Sequence, residues 1–216
     1  MYLTATNNIA TDDFNHLIQL KKEDVKTLAL VKRCPNSYPE PKVNDFSNMK
    51  DFLFFYGHKQ LLDEIDESCL SNWYPAKFKE GQTSFFNTEQ FMMYHKAILF
   101  NDTNAANQIL ANPDPRTCKA IGRTVKNFDN DFWIKHRFSI VTHGNFLKFS
   151  QNPELRKFLL NTKSKVLVEA SPYDCIWGIG LSKKDPLVYH PECWRGTNLL
   201  GFALMNVREI FKNSLV

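Results

Sequence analysis

Apolar positions are distributed unevenly along the chain, and they define its elements. From Phe52 onward they fall into two kinds of block. The run FLFFY, from Phe52, is short, bulky and aromatic, as a strand is. TSFF, ending at Phe86, reads as another brief strand, with SNWYPAKF before it punctuated by Pro75. NTEQFMMYHKAILF then takes helical spacing. Phe91, Tyr94, Ala97 and Ile98 share one side, and Met92, Met93, Leu99 and Phe100 cover much of the remainder. A helix apolar nearly all round is a buried one. Asn87 is its natural N-cap, with Gln90 at the spacing of a capping box. Asp114-Pro115 and Asn152-Pro153 each mark a helix start by a cap residue followed by proline. DNDFWIKHRFSIV opens a further apolar helix, KVLVEA reads as a buried strand, and NLLGFALMNVREIF is a last helix capped by Thr197 or Asn198. The pattern predicts an α+β domain, predominantly helical, with a small β-sheet.

Residues 1–50 differ. Asp12 and Asp13 are placed to start a helix carrying Phe14, Leu17, Ile18 and Leu28. Pro35, Pro39 and Pro41 then forbid regular structure. We read 1–50 as an N-terminal extension and proline-rich linker, and 51–216 as one domain.

Composition narrows the function classes. The 216 residues carry a net charge of +4, a mild excess that suits a phosphate-bearing ligand and is too small to argue for duplex DNA. Five cysteines without a C-x-x-C pair point to free thiols in a reducing, cytoplasmic setting. Neither a leader segment nor a membrane span is expected. Phosphate-binding glycine loops and the G-x-S-x-G elbow are missing. The histidines, His58, His95, His136 and His143 among them, lack metal-ligand spacing and read as structural or exposed. No metal or cofactor is expected.

The candidate chemistry lies where charge enters apolar segments. Glu89 and Lys96 sit seven residues apart on the buried helix, about 20° apart in azimuth and roughly 10 Å apart in height. They are expected to look into one space. Simpler roles stand beside that one: an acid in the first turn is favoured by the helix dipole, and a lysine can snorkel to solvent. LVEASPYDCIWGIGL, Leu167 to Leu181, puts Glu169 and Asp174 among apolar residues and glycines. Acids in apolar surroundings have raised pKa values unless a cation or hydrogen bonds hold them charged, and grouped together they mark catalytic sites. Trp133, Trp177 and Trp194 are core residues or stacking surfaces. Arg123 and Arg195, beside glycines, are phosphate contacts or surface ion-pair partners.

LSNWYPAKF, NTEQFMMYHKA, KAIGRTVKNFD, FSQNPELRKFLL, LVEASPYDCIWGIGL and WRGTNLLGFALMNVRE occur in the order typical of the NADAR family, the YbiA-like N-glycosidases. The resemblance runs from about Phe54 to Phe211 and leaves residues 1–50 outside. Family members often have Phe where this chain has Trp73, a change expected to keep the packing. The resemblance implies a YbiA-like fold and cleavage of a base–ribose bond, with Glu89, Asp174 and Lys96 carrying the chemistry. Asn72, Arg123, Trp133, Asn145, Ser150, Gln151, Trp177 and Asn198 are expected to line the pocket. In the mechanism this implies, Trp133 stacks on the base, Arg123 holds a phosphate, and the glycines after Glu169 let backbone approach the ligand. Lys96 is a cation beside Glu89 or phosphate, or an amine that attacks the sugar. The leading substrates implied are the phosphoribosylaminopyrimidines of early riboflavin biosynthesis, split to ribose 5-phosphate and a pyrimidine. The alternatives are removal of ADP-ribose from guanine in nucleic acid, and a non-catalytic ADP-ribose or nucleotide-binding module.

Overall fold

The computed structural model describes residues 51–59 and 64–213. The helix expected after Asp12 and the proline-rich run lie outside the described residues. Six α-helices among the described residues surround two small sheets. The strands are β1 (Phe52–Phe55), β2 (Phe78–Glu80), β3 (Thr83–Phe85) and β4 (Val166–Glu169). The helices are α1 (Thr88–Leu99), α2 (Thr103–Leu110), α3 (Pro115–Gly122), α4 (Asn130–Gln151), α5 (Pro153–Asn161) and α6 (Leu199–Asn213). The architecture is α+β and mainly helical, with the expected sheet divided into two pairs of strands.

β1 and β4, more than a hundred residues apart in the chain, pair in parallel, with Phe52 opposite Val166 and Phe55 opposite Glu169. All four residues of β4 are buried, as the strand's unbroken Val-Leu-Val run requires of a strand covered on both faces. α6 packs against β4 and against α4, and α4 in turn packs against α1. Gly201 lets α6 approach the strand: a Cβ there would collide with the Leu167 carbonyl oxygen. β2 and β3 form an antiparallel hairpin whose turn contains Gly81 at φ +55°.

Most expected helix starts occur, and their side chains show why. Asn87 accepts a hydrogen bond from the Gln90 N–H at 2.8 Å, and Asp114 accepts one from Thr117 N–H at 2.8 Å. Two details differ from the sequence reading. Gln90 reaches back to the N–H of Phe86 rather than that of the cap residue, and its amide donates to the carbonyls of Ile109 and Asn112. Asn152 makes no capping bond, because its amide is bound to the carbonyls of Lys77 and Lys148. α2, capped by Asp102, was not foreseen from the periodicity.

Candidate active site

Parallel pairing makes β1 and β4 end on the same side. In sheets of this kind, ligands settle outside the carboxyl ends of the strands. Here the exits of both strands, the start of α1 and one face of α3 enclose a cavity of about 420 Å³. The exit of β1 contributes Tyr56 and His58. The exit of β4 contributes Glu169, Ser171, Asp174 and Trp177. Asn72 and Trp73 come from the loop before the hairpin, Glu89 from α1, and Arg116 and Lys119 from α3.

The carboxylates that the sequence placed inside apolar segments meet here. Glu89 is 3% exposed, and its Oε1 has no hydrogen-bond partner. Burial pushes its pKa up to about 7. The Lys119 charge, a hydrogen bond from the Trp73 side chain and the Arg123 charge pull it down, while Asp174 pushes it up. Asp174 is held by the turn after β4. Its Oδ1 accepts from the N–H groups of Ile176 and Trp177 at 2.9 and 2.8 Å, and its Oδ2 lies 3.9 Å from Lys119 Nζ. Glu169 ends β4, 8% exposed, with Oε2 unpartnered. Burial first, then the Asp174 charge, raises it to about 8, with Lys119 opposing.

Of the residues expected to line a pocket, Asn72, Glu89, Asp174 and Trp177 surround this cavity. Asn145 lies behind it, donating to Asn72 Oδ1 at 3.1 Å. Asn198, at φ +53°, locks the end of β4: it accepts from the Glu169 N–H and donates to the Leu167 carbonyl. Gln151 grips the backbone of Lys79 through both amide atoms, and Ser150 bonds the Leu147 carbonyl. Trp133 is 9% exposed within the core. Arg123 is exposed just past α3, outside the lining, where only its charge is felt at Glu89.

Lys96 is not among the lining residues. Its Nζ donates to the Gly122 carbonyl at 2.7 Å and lies 4.1 Å from the Phe128 ring centroid and 5.7 Å from that of Trp133. Burial lowers its pKa. The shared space expected for Glu89 and Lys96 is thus divided, and Lys119 stands near Glu89 instead. The glycines of the opening stretch also serve a different end. A Cβ on Gly178 would lie 2.8 Å from the Glu169 carbonyl oxygen, and Gly180 adopts φ +68°. Neither lines the cavity: they let the turn fold against its own backbone.

Several lining residues went unread in the sequence. Arg116 and Lys119 stand three apart on α3, so helical spacing from the well-marked Asp114 cap was the available signal. His58 lacks metal-ligand spacing and reads as structural or exposed, yet it lines the cavity with its ring 5.5 Å from that of Trp73. Lys148, fully buried on α4, was also missed. It donates to the carbonyls of Cys69 and Ser71, fixing the loop that delivers Asn72 and Trp73, and burial lowers its pKa to about 8.

Comparison with known proteins places this chain in a family. The family described as NADAR domain matches residues 54–212. The chain is 44% identical over 163 residues to N-glycosidase R617 of Acanthamoeba polyphaga mimivirus, covering 73% of this chain and 95% of that protein. It is 31% identical over 128 residues to the chloroplastic riboflavin biosynthesis protein PYRR of Zea mays, covering 56% of this chain and 19% of that protein. The fold matches the NMR structure of E. coli YbiA with a TM-score of 0.60 at 22% identity, over 82% of this chain and 94% of that one. On the extent of the family match and the similarity to the mimivirus protein, this chain belongs to the NADAR family.

Proposed function

We propose that this chain is a glycosidase that hydrolyses the base–ribose N-glycosidic bond of phosphorylated ribosyl-bases. The substrates are the phosphoribosylaminopyrimidines of early riboflavin biosynthesis, and the products are ribose 5-phosphate and a pyrimidine. The observation that carries the reading is Glu89: a buried carboxyl with an unpartnered oxygen in a cavity that also holds Lys119 and Arg116. A carboxyl poised near neutral pH suits a general base. The names of the mimivirus and maize relatives support the bond type and the substrate class. A cavity of about 420 Å³ suits one ribosyl base with its phosphate.

The chemistry follows from the charges. Breaking a ribose–nitrogen bond develops positive charge at the anomeric carbon. Asp174, held rigidly by two backbone N–H groups, supplies a preorganised negative group beside it; groups so placed contribute on the order of 3 kcal/mol where substrate excludes water. Glu89 takes the proton of the attacking water. Lys119 and Arg116 receive the phosphate, and Trp73 and Trp177 provide flat walls for the base. Removal of ADP-ribose from guanine is the second reading. The observation favouring it is Tyr173, 88% exposed at the cavity, a stacking surface for a ligand that extends outside.

Purified protein is supplied with a phosphoribosylaminopyrimidine and, separately, with an ADP-ribosylated guanine oligonucleotide. Release of ribose 5-phosphate from the first is the expected result. Release of ADP-ribose from the second alone transfers the assignment to the second reading, and no release from either overturns both.

A further inference from the structure

We infer that Glu169 is a further catalytic residue, the proton donor to the nitrogen that leaves the ribose. The role rests on the glycosidase reading above and deepens it.

Glu169 faces the same cavity as Glu89 and Asp174, but its surroundings differ from theirs. Asp174 is engaged as an acceptor by two N–H groups, with Lys119 nearby. Glu89 has a hydrogen bond from the Trp73 side chain and the positive charges of α3 and Arg123. Glu169, like Glu89, has an unpartnered oxygen on a residue more than nine-tenths buried, but only the Lys119 charge opposes the effect of burial there, without the hydrogen bond and the second cation that act on Glu89. Its backbone is fixed on both sides: the N–H donates to Asn198 Oδ1 at 3.0 Å, and the carbonyl accepts from Ile179 N–H at 3.0 Å. The other titratable groups lining the cavity are Tyr56 and His58 from the exit of β1, Tyr173 from the turn after β4, and Arg116 and Lys119 from α3. Desolvation and the neighbouring Asp174 favour the protonated form of Glu169, with Lys119 opposing. Carboxyls whose environments separate their proton affinities divide into acid and base. Here Glu169 is the acid and Glu89 the base.

The step balances. The bond from the anomeric carbon to nitrogen breaks, and its electron pair goes to nitrogen, which takes the Glu169 proton. The oxygen of water bonds to the anomeric carbon, and a proton of that water passes to Glu89. Glu169 is left ionised and Glu89 protonated, and exchange with solvent resets both. The products are the protonated base and ribose 5-phosphate, with no other reactant.

The test is the pH dependence of kcat on the phosphoribosylaminopyrimidine for the full chain, Glu169→Gln and Glu169→Asp, with thermal unfolding to verify each fold. The wild type is expected to lose rate with rising pH near 8, as the donor gives up its proton. Glu169→Gln is expected to lower kcat by about 10²- to 10³-fold, to leave KM little changed, and to lack that alkaline fall. Glu169→Asp keeps a carboxyl and is expected to keep the alkaline fall at reduced rate. It decides the matter where the Gln variant does not fold. A folded Glu169→Gln enzyme with wild-type kcat, or with the alkaline fall intact, overturns the role while the wild type still releases ribose 5-phosphate. Loss of the fall in Glu169→Asp also overturns it. Absence of turnover in the wild type overturns the glycosidase reading on this substrate and the role together.

Discussion

At the scale of single residues, burial and the Lys119 charge set the proton affinity of Glu89, and an indole beside it adjusts the balance. From the sequence, Trp73 reads as a packing residue for which another aromatic would serve. It does more, because an indole has an N–H and a phenyl ring has none. The Trp73 side chain hydrogen-bonds Glu89 and lowers a pKa that burial has raised to about 7. A hydrogen bond to the charged form favours that form. A general base is active when deprotonated, so activity falls as pH drops through the Glu89 pKa. Trp73→Phe is expected to move this acidic limb of the kcat profile upward by about one pH unit, measured by ribose 5-phosphate release across pH 5 to 9. An unmoved limb contradicts the contact's influence.

At the scale of elements, the β2–β3 hairpin is fastened to the helices by one carboxylate. Glu80, 6% exposed at the end of β2, bonds His95 of α1 at 2.9 Å and His143 of α4 at 2.8 Å. Burial works against its ionisation, but the His95 charge and hydrogen bonds from both imidazoles outweigh it and hold Glu80 at about 2, below its ordinary 4.5. A depressed carboxylate stabilises the fold above its unfolded pKa and loses that stabilisation as pH falls. The contribution is on the order of 3 kcal/mol, complete above about 4.5 and lost toward about 2. Urea unfolding at stepped pH is expected to show Glu80→Gln less stable than wild type at pH 6, the difference shrinking below pH 4. A constant difference across that range contradicts the ion-pair account. Helix starts were legible because Asn87, Asp114 and Pro115 act through local backbone geometry. The Glu80 link was not, since it joins residues 15 and 63 positions apart and periodicity carries no information about partners at that distance.

At the scale of the whole molecule, function depends on bringing distant segments to one edge, and the sequence shows only part of that. FLFFY and KVLVEA both read as strands, but nothing local dictates that they pair, or in parallel, and the cavity exists because they do. The acids were conspicuous because a carboxylate among apolar residues demands a reason. The cations were less so: Lys119 and Arg116 look like ordinary surface charge on an amphipathic helix, whereas Lys96 drew notice on a buried one and instead caps the Gly122 carbonyl. Sequence reasoning finds residues that break the pattern of their own element, and it passes over those that matter only through assembly. If ribose–nitrogen cleavage occurs around Glu89, the value of kcat/KM for ribose 5-phosphate release must separate wild type from Glu89→Gln. A fall of about 10²- to 10⁴-fold is expected in a variant that melts like the wild type; undiminished turnover in that folded variant would remove Glu89 from the chemistry.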